Sequence, residues 1–165
     1  MRLTELNAAD RDDAVAVLRP CLDVERWIDE IVAARPYASV DDLLGRAQTA
    51  AAPLTDDEVG RALAHHPRIG ERAAGTGTEA RMSRAEQGGV GALDEGTARA
   101  LREGNEAYEQ QFDRVFLIRA AGRGPEEILA SLRARLENPP EVEARVVAEQ
   151  LREIAVLRLD GVVTP

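Results

Sequence analysis

Residues 141–159 read Glu141-Val142-Glu143-Ala144-Arg145-Val146-Val147-Ala148-Glu149-Gln150-Leu151-Arg152-Glu153-Ile154-Ala155-Val156-Leu157-Arg158-Leu159. The run holds neither glycine nor proline, and Asn138-Pro139-Pro140 separates it from the helical pattern before it. Val147, Leu151 and Ile154 follow one another at intervals of four and three, which places them along one core-facing stripe of a long helix. The next position on that stripe is Arg158. Three readings fit a guanidinium there, because burial of an unpaired charge is costly. It snorkels to water at the helix C-terminus, where a cation also complements the dipole, it pairs with an acid, or it lines a polar pocket built for an anionic group.

The same helical period runs through nearly all of the chain. Asn7 is expected to cap a helix carrying Ala14, Val15 and Leu18, and Asp23 a second with Val24, Trp27, Ile28 and Ile31 on one face. Ser39 precedes a third. Thr55-Asp56-Asp57-Glu58 has the form of a capping box and opens a fourth, which runs into two histidines. Residues 70–82 read as a loop, and Ser83-Arg84-Ala85-Glu86 as a second capping box. Asp94 caps a longer helix through Leu101 and Tyr108 to Phe112. Val115-Phe116-Leu117-Ile118 is too short and solitary for a sheet and reads as a buried connector or helix end. Pro125 stands at the first position of the next helix, followed by acids that suit its N-terminus. The expectation is an all-α, multi-helix bundle occupying residues 1–165 as a single domain.

Composition narrows the function classes. The chain has 165 residues, a net charge of -9 and mixed acids and arginines along its length. General binding to nucleic acid or to an anionic membrane is therefore not expected, since both need a basic face. All 21 Lys-plus-Arg residues are arginine, which excludes a lysine Schiff base and a phosphate-loop lysine. The single Cys21 suits a reducing compartment and reads as a buried structural thiol. With no signal peptide and no bilayer-length apolar run, a cytoplasmic location is expected.

The run His65-His66-Pro67-Arg68-Ile69-Gly70-Glu71 contains the chain's two histidines. Histidine both takes and gives a proton near neutral pH. Pro67 restricts His66 to an extended backbone, so the fourth helix is expected to end near His65 and His66 to project from a fixed, non-helical mount. The bland alternative is a polar helix C-terminus. Glu86 likewise has two readings: a capping-box acid reaching back to its own helix, or the partner that orients the His66 imidazole if the two loops meet. In the second, Ser83 and neighbouring amides would present donors to an anionic or carbonyl group. A metal site is not expected, because adjacent histidines diverge and chelation on a helix needs an i, i+4 pair.

Several segments in register carry a resemblance. His66-Pro67-Arg68-Ile69-Gly70, Ser83-x-x-Glu86-Gln87-x-Gly89-Val90, Asn105-x-x-Tyr108-x-x-x-Phe112, Phe116-Leu117-Ile118-Arg119-Ala120-Ala121-Gly122-Arg123 and Glu153-Ile154-x-x-x-Arg158-Leu159 together resemble the 2-oxo-4-hydroxy-4-carboxy-5-ureidoimidazoline (OHCU) decarboxylases of urate breakdown. The resemblance covers almost the whole chain. It implies an all-helical fold, a carboxy-lyase that needs neither metal nor organic cofactor, a small-molecule ureidoimidazoline substrate, (S)-allantoin as product and a homodimer. It maps His66 onto the catalytic histidine and Glu86 onto its partner acid. Ser83 and Gln87 match ligand-contacting positions, Arg158 the ligand-binding arginine, and Pro67 the proline that shapes the pocket beside the histidine. The chain departs from the pattern in a longer gap before Ser83 and in lacking the tryptophan that often precedes that serine.

Two readings from other classes stand beside this one. A non-catalytic helical interaction module predicts no turnover, and a metal-assisted ureide hydrolase predicts loss of activity with chelator. The roles of Arg68, Glu71 and Arg72, and of Arg119 and Arg123 around the 115–121 segment, are open between function and solvation.

Overall fold

The computed structural model describes residues 1–64, 66–71, 77–90 and 94–165, with only the backbone of Gly89 and Val90. His65 and Arg72 lie outside the described residues. Among those described the fold is all-α: nine helices and a 3₁₀ turn, with one isolated bridge between Arg2 and Thr164. The helices are α1 (Leu3–Ala8), α2 (Arg11–Leu18), α3 (Glu25–Ala33), α4 (Val40–Thr49), α5 (Asp56–Leu63), α6 (Thr78–Glu86), α7 (Glu95–Phe112), α8 (Pro125–Leu136) and α9 (Pro140–Val162); the 3₁₀ turn is Gln87–Val90. Two compact units contain them: Met1–Ala62 with Leu151–Pro165, and Leu63–Gln150.

In the first unit, Ser39 caps α4 by accepting from the Asp42 N–H at 3.1 Å. The Thr55 capping box closes in both directions, with Thr55 N–H to Glu58 Oε2 at 2.7 Å and Glu58 N–H to Thr55 Oγ1 at 3.3 Å. Glu58 also takes a two-pronged bond from Arg26, at 3.0 and 2.8 Å, so one carboxylate starts α5 and ties it to α3. Trp27 is fully buried and donates its indole N–H to the Ala47 carbonyl at 2.9 Å, which satisfies its one polar atom. Cys21 is buried, its thiol donating to the Val17 carbonyl at 3.6 Å, in keeping with a structural thiol.

Two expected caps are corrected. Asn7 does not cap α2; its amide brackets the Tyr37 backbone, donating to the carbonyl and accepting from the N–H, both at 2.9 Å. Asp10 takes the N-cap and accepts from Asp13 N–H at 2.9 Å. Asn7 and Asp10 are both capping types, and a partner 30 residues along the chain decides between them. Asp23 does not cap α3 either: it pairs with Arg19, and Val24 holds the N-cap position without a side-chain bond.

The second unit is built on α7 and α8. Asp94 caps α7 by accepting from the N–H groups of Gly96 and Thr97. Leu101, Tyr108, Phe112, Phe116, Ile118, Ile128 and Leu132 form its apolar core; of the two readings open for 115–118, the connector holds and the helix end does not, since the segment is non-helical with Phe116, Leu117 and Ile118 buried. Gly104 lets α7 and α8 approach closely, since a Cβ there would lie 2.3 Å from Leu132 Cδ2. A buried polar network crosses this core. Arg135 bonds Glu143 Oε1 from Nε at 2.8 Å and Nη2 at 2.5 Å, and donates from Nη1 to the Leu117 carbonyl at 2.7 Å. The Tyr108 hydroxyl donates to the same carboxylate, while Arg135 stacks 4.6 Å over the Phe116 ring centre. Burial, with the adjacent carboxylate, pushes the Tyr108 phenol well above its ordinary pKa and keeps it a donor.

Candidate active site

The mount for His66 is a short loop fixed at several points. Its backbone N–H donates to the Leu63 carbonyl at 2.9 Å, turning the chain out of α5. Beyond Pro67, Arg68 forms a fork onto Glu109 of α7, Nε to Oε1 and Nη2 to Oε2, both at 2.6 Å. That fork, with Glu71 at 3.4 Å, holds the Arg68 guanidinium still further above its ordinary pKa. Ile69 is buried in the α7–α8 core, and its carbonyl accepts from Asn105 Nδ2 at 3.1 Å. Gly70 adopts φ +85°, a conformation that disfavours any side chain. Arg68, whose role the sequence left open, is thus a clasp of the loop.

The Ser83–Glu86 region differs from expectation. Residues 78–82 are not loop: α6 begins at Thr78 with Gly77 as its N-cap. Ser83 therefore lies inside the helix, buried at 3 % exposure, and the expected capping box does not exist. Thr78-Glu79-Ala80-Arg81-Met82 contains no helix breaker, so the helix nucleates upstream of a motif that is only a local signature. The correction removes the bland reading of Glu86, which has no N-cap to serve. Ser83, Glu86 and Gln87 stand at i, i+3 and i+4, on one face of the helical path.

Gln87 joins this path to the histidine loop. Gln87 Oε1 accepts from the Gly70 N–H at 3.0 Å, across 17 residues of chain. His66, Pro67, Ser83, Glu86 and Gln87 all belong to the unit Leu63–Gln150. A cavity of about 120 Å³ lies against the same loop, walled by Arg68, Ile69, Gly70 and Glu71 and by α7 residues that include Arg102 and Asn105. Arg158 belongs to the other unit, where it is 6 % exposed and donates from Nη1 to the Pro20 carbonyl at 3.1 Å. The snorkelling reading fails, because the side chain is buried and α9 continues to Val162, so Arg158 is not in its last turn.

A family model described as OHCU decarboxylase matches residues 7–160. The chain belongs to the OHCU decarboxylase family. A 2-oxo-4-hydroxy-4-carboxy-5-ureidoimidazoline decarboxylase of Haloferax volcanii is 26 % identical over 96 % of this chain and 94 % of its own length. A uric acid degradation bifunctional protein of Bacillus sp. (strain TB-90) is 25 % identical over 98 % of this chain, which corresponds to 32 % of that protein. The family fold is also seen in a crystal structure of OHCU decarboxylase in the presence of (S)-allantoin. It superposes with a TM-score of 0.67 at 21 % identity and covers 93 % of this chain and 97 % of that one.

Sequence reasoning missed the supports of this family's histidine loop. Glu109 lies four residues after Asn105 and shares its face of α7, which is a visible signal. Its pairing with Arg68, 41 residues away, is not. The two arginines left open near 115–121 have local partners. Arg119 donates its backbone N–H to Gln150 and Nη1 to the Ala121 carbonyl, and Arg123 makes a surface pair with Glu127 at 3.5 Å. Among the described residues no three His, Cys, Asp or Glu side chains are grouped as metal ligands, and no helix is long and apolar enough to cross a membrane.

Proposed function

We propose that this chain decarboxylates OHCU to (S)-allantoin in urate degradation, with His66 as its acid–base group and Glu86 as the residue that orients it. The observation that carries the assignment is the Gln87–Gly70 hydrogen bond, which fastens the helix bearing Ser83 and Glu86 to the loop bearing His66. The chemistry suits these groups. The substrate carboxylate sits on a carbon that also bears a hydroxyl and adjoins a ring C=N bond. As the C–C bond to carbon dioxide breaks, its electron pair flows toward the imine nitrogen, which takes up a proton from solvent, and leaves an enol. The substrate is its own electron sink, so no organic cofactor is required.

His66 takes the hydroxyl proton as the enol collapses to the carbonyl, and one proton returns to the ureido-bearing carbon on a single face, fixing the S configuration. General acid–base help of this kind contributes about 10²–10⁴-fold. Gln87 and Ser83 hold the polar edge of the ring and ureido group, and Pro67 shapes the wall beside the imidazole; Arg158 keeps the ligand-binding role that the family resemblance implies. With its buried single thiol, the protein is assigned to the cytoplasm, and by family pattern to a homodimer.

The test is a coupled assay. Freshly made product of urate oxidation and hydroxyisourate hydrolysis is mixed with the protein, with and without EDTA, and circular dichroism follows optically active allantoin. Wild type is expected to form it in both conditions. His66→Asn and His66→Ala are expected to lose at least about 100-fold in turnover while retaining the far-UV spectrum. Wild-type turnover in both variants removes His66 from the mechanism.

A further inference from the structure

We infer that Glu109 and Asn105 are positioning residues for the His66 site, acting on the histidine loop through Arg68 and through the Ile69 carbonyl. The inference rests on the reading of His66 as the acid–base group. Its observations are independent of that reading. Arg68 and Ile69 follow His66-Pro67 directly, and each is held by a different side chain of α7, one turn apart. The first hold is a planar double bond, both arms 2.6 Å long, between an arginine and a carboxylate. A two-point fork fixes direction as well as distance, which a single hydrogen bond does not. The second is a buried amide that meets a backbone carbonyl at 3.1 Å. The third hold, Gln87 on Gly70, comes from the 3₁₀ turn that follows α6. Three consecutive residues after the His-Pro step are thus anchored to α7 and to the turn that follows α6.

Pro67 makes this consequential. Its ring fixes its own φ and restricts the residue before it. The backbone between His66 and Arg68 therefore has little freedom to absorb a change, and a displacement of Arg68 is passed to the imidazole. Small misplacements of a catalytic group cost large factors in rate, about 100-fold for roughly 1 Å. The fork is also partly solvent-exposed, with side chains 39 % and 25 % accessible. Surface pairs of that kind contribute little to stability, so its expected effect is on geometry rather than folding.

Glu109→Gln and Arg68→Gln test this, each beside wild type and His66→Asn. The expected result is kcat lowered about tenfold with KM within about twofold, at a temperature well below a nearly unchanged Tm. In a His65→Gln background the protein has a single imidazole, and its proton NMR signal is expected to shift when Glu109 is replaced. The exchange Arg68→Glu with Glu109→Arg rebuilds the fork in reverse and is expected to recover part of the lost kcat. A folded Glu109→Gln with wild-type kcat and an unmoved imidazole signal overturns the inference. So does a variant in which only Tm falls, since a merely structural clasp would behave that way. Loss of turnover in His66→Asn beside normal turnover in Glu109→Gln removes this inference alone, whereas normal turnover in His66→Asn removes the reading of His66 beneath it.

Discussion

The side-chain carbonyl of Gln87 accepts a hydrogen bond from the backbone N–H of Gly70 at 3.0 Å. One end of the amide therefore serves the loop, and the opposite end is the part of the side chain that can donate to a ligand. The two roles separate by substitution. Gln87→Glu keeps an acceptor for Gly70 and exchanges the donor for a negative charge. Gln87→Ala deletes both. Expected is a KM raised about tenfold in Gln87→Glu with little change in Tm, and a further loss of kcat in Gln87→Ala, each hydrogen bond being worth about 1 kcal/mol. Wild-type KM in Gln87→Glu confines Gln87 to the loop tie.

Arg158 is buried on the apolar stripe of α9 and donates to the Pro20 carbonyl at 3.1 Å. Arg158→Lys retains the charge but not the planar set of donors. Weaker binding of (S)-allantoin, by about tenfold, is expected in calorimetry. Binding equal to wild type would leave Arg158 as a structural cation that serves the Pro20 turn.

Glu58 carries an acid-stability prediction. The Arg26 fork, supported by the Thr55 backbone and hydroxyl, holds its carboxyl at about 2, from an ordinary 4.5. A carboxyl depressed in the folded state stabilises the fold above its unfolded pKa, and that stabilisation disappears as pH falls through the folded value. The window runs from about pH 4.5 down to about pH 2. The gap corresponds to about 3 kcal/mol for this nearly buried group. Glu58→Gln is therefore expected to be less stable than wild type in urea at pH 7, and the two curves should converge toward pH 2. A constant difference between them across that range contradicts the assignment.

Gly104 sets the approach of α7 to α8. An added Cβ falls 2.3 Å from Leu132 Cδ2 and 3.2 Å from its Cγ, and Leu132 has no exposed surface into which to retreat. Gly104→Ala gains about 1 kcal/mol of helix propensity against an overpacking cost of about 1–3 kcal/mol. Net destabilisation of about 1 kcal/mol is expected from denaturant midpoints. Adding Leu132→Val should recover part of it, the two sites being in contact. Full additivity of the two changes would show that Leu132 is not what Gly104 accommodates.

Elements with a long, strongly periodic pattern were legible without coordinates. α7, α8 and α9, the start of α4 after Ser39 and the caps at Thr55 and Asp94 follow from spacing and local chemistry alone, and the buried connector at 115–118 was one of two readings that its composition left open. Failures fall where a local signature competes with a distant partner. Asn7 resembles a cap until Tyr37 claims its amide, and Ser83-x-x-Glu86 resembles a capping box until α6 starts five residues earlier. The same limit divides the residues proposed for function. His66 stands out by residue type and by Pro67, and Arg158 by its wrong-faced position. The clasp residues Arg68, Asn105 and Glu109 are ordinary in type, and contacts spanning 36 and 41 residues reveal them.

The fastening of the hexapeptide 66–71, at residues 68–70, by side chains from α7 and from the turn that follows α6 bears on how relatives can be recombined. A chimaera that exchanges only the hexapeptide transplants the histidine without its moorings, and places a foreign arginine opposite a helix not matched to it. Crossover points set before Leu63 and after Phe112 keep Gln87, Asn105 and Glu109 on the same parental segment as the loop they grip. For this fold the unit of inheritance around the histidine is a stretch of about fifty residues, although its most conspicuous motif is five letters long.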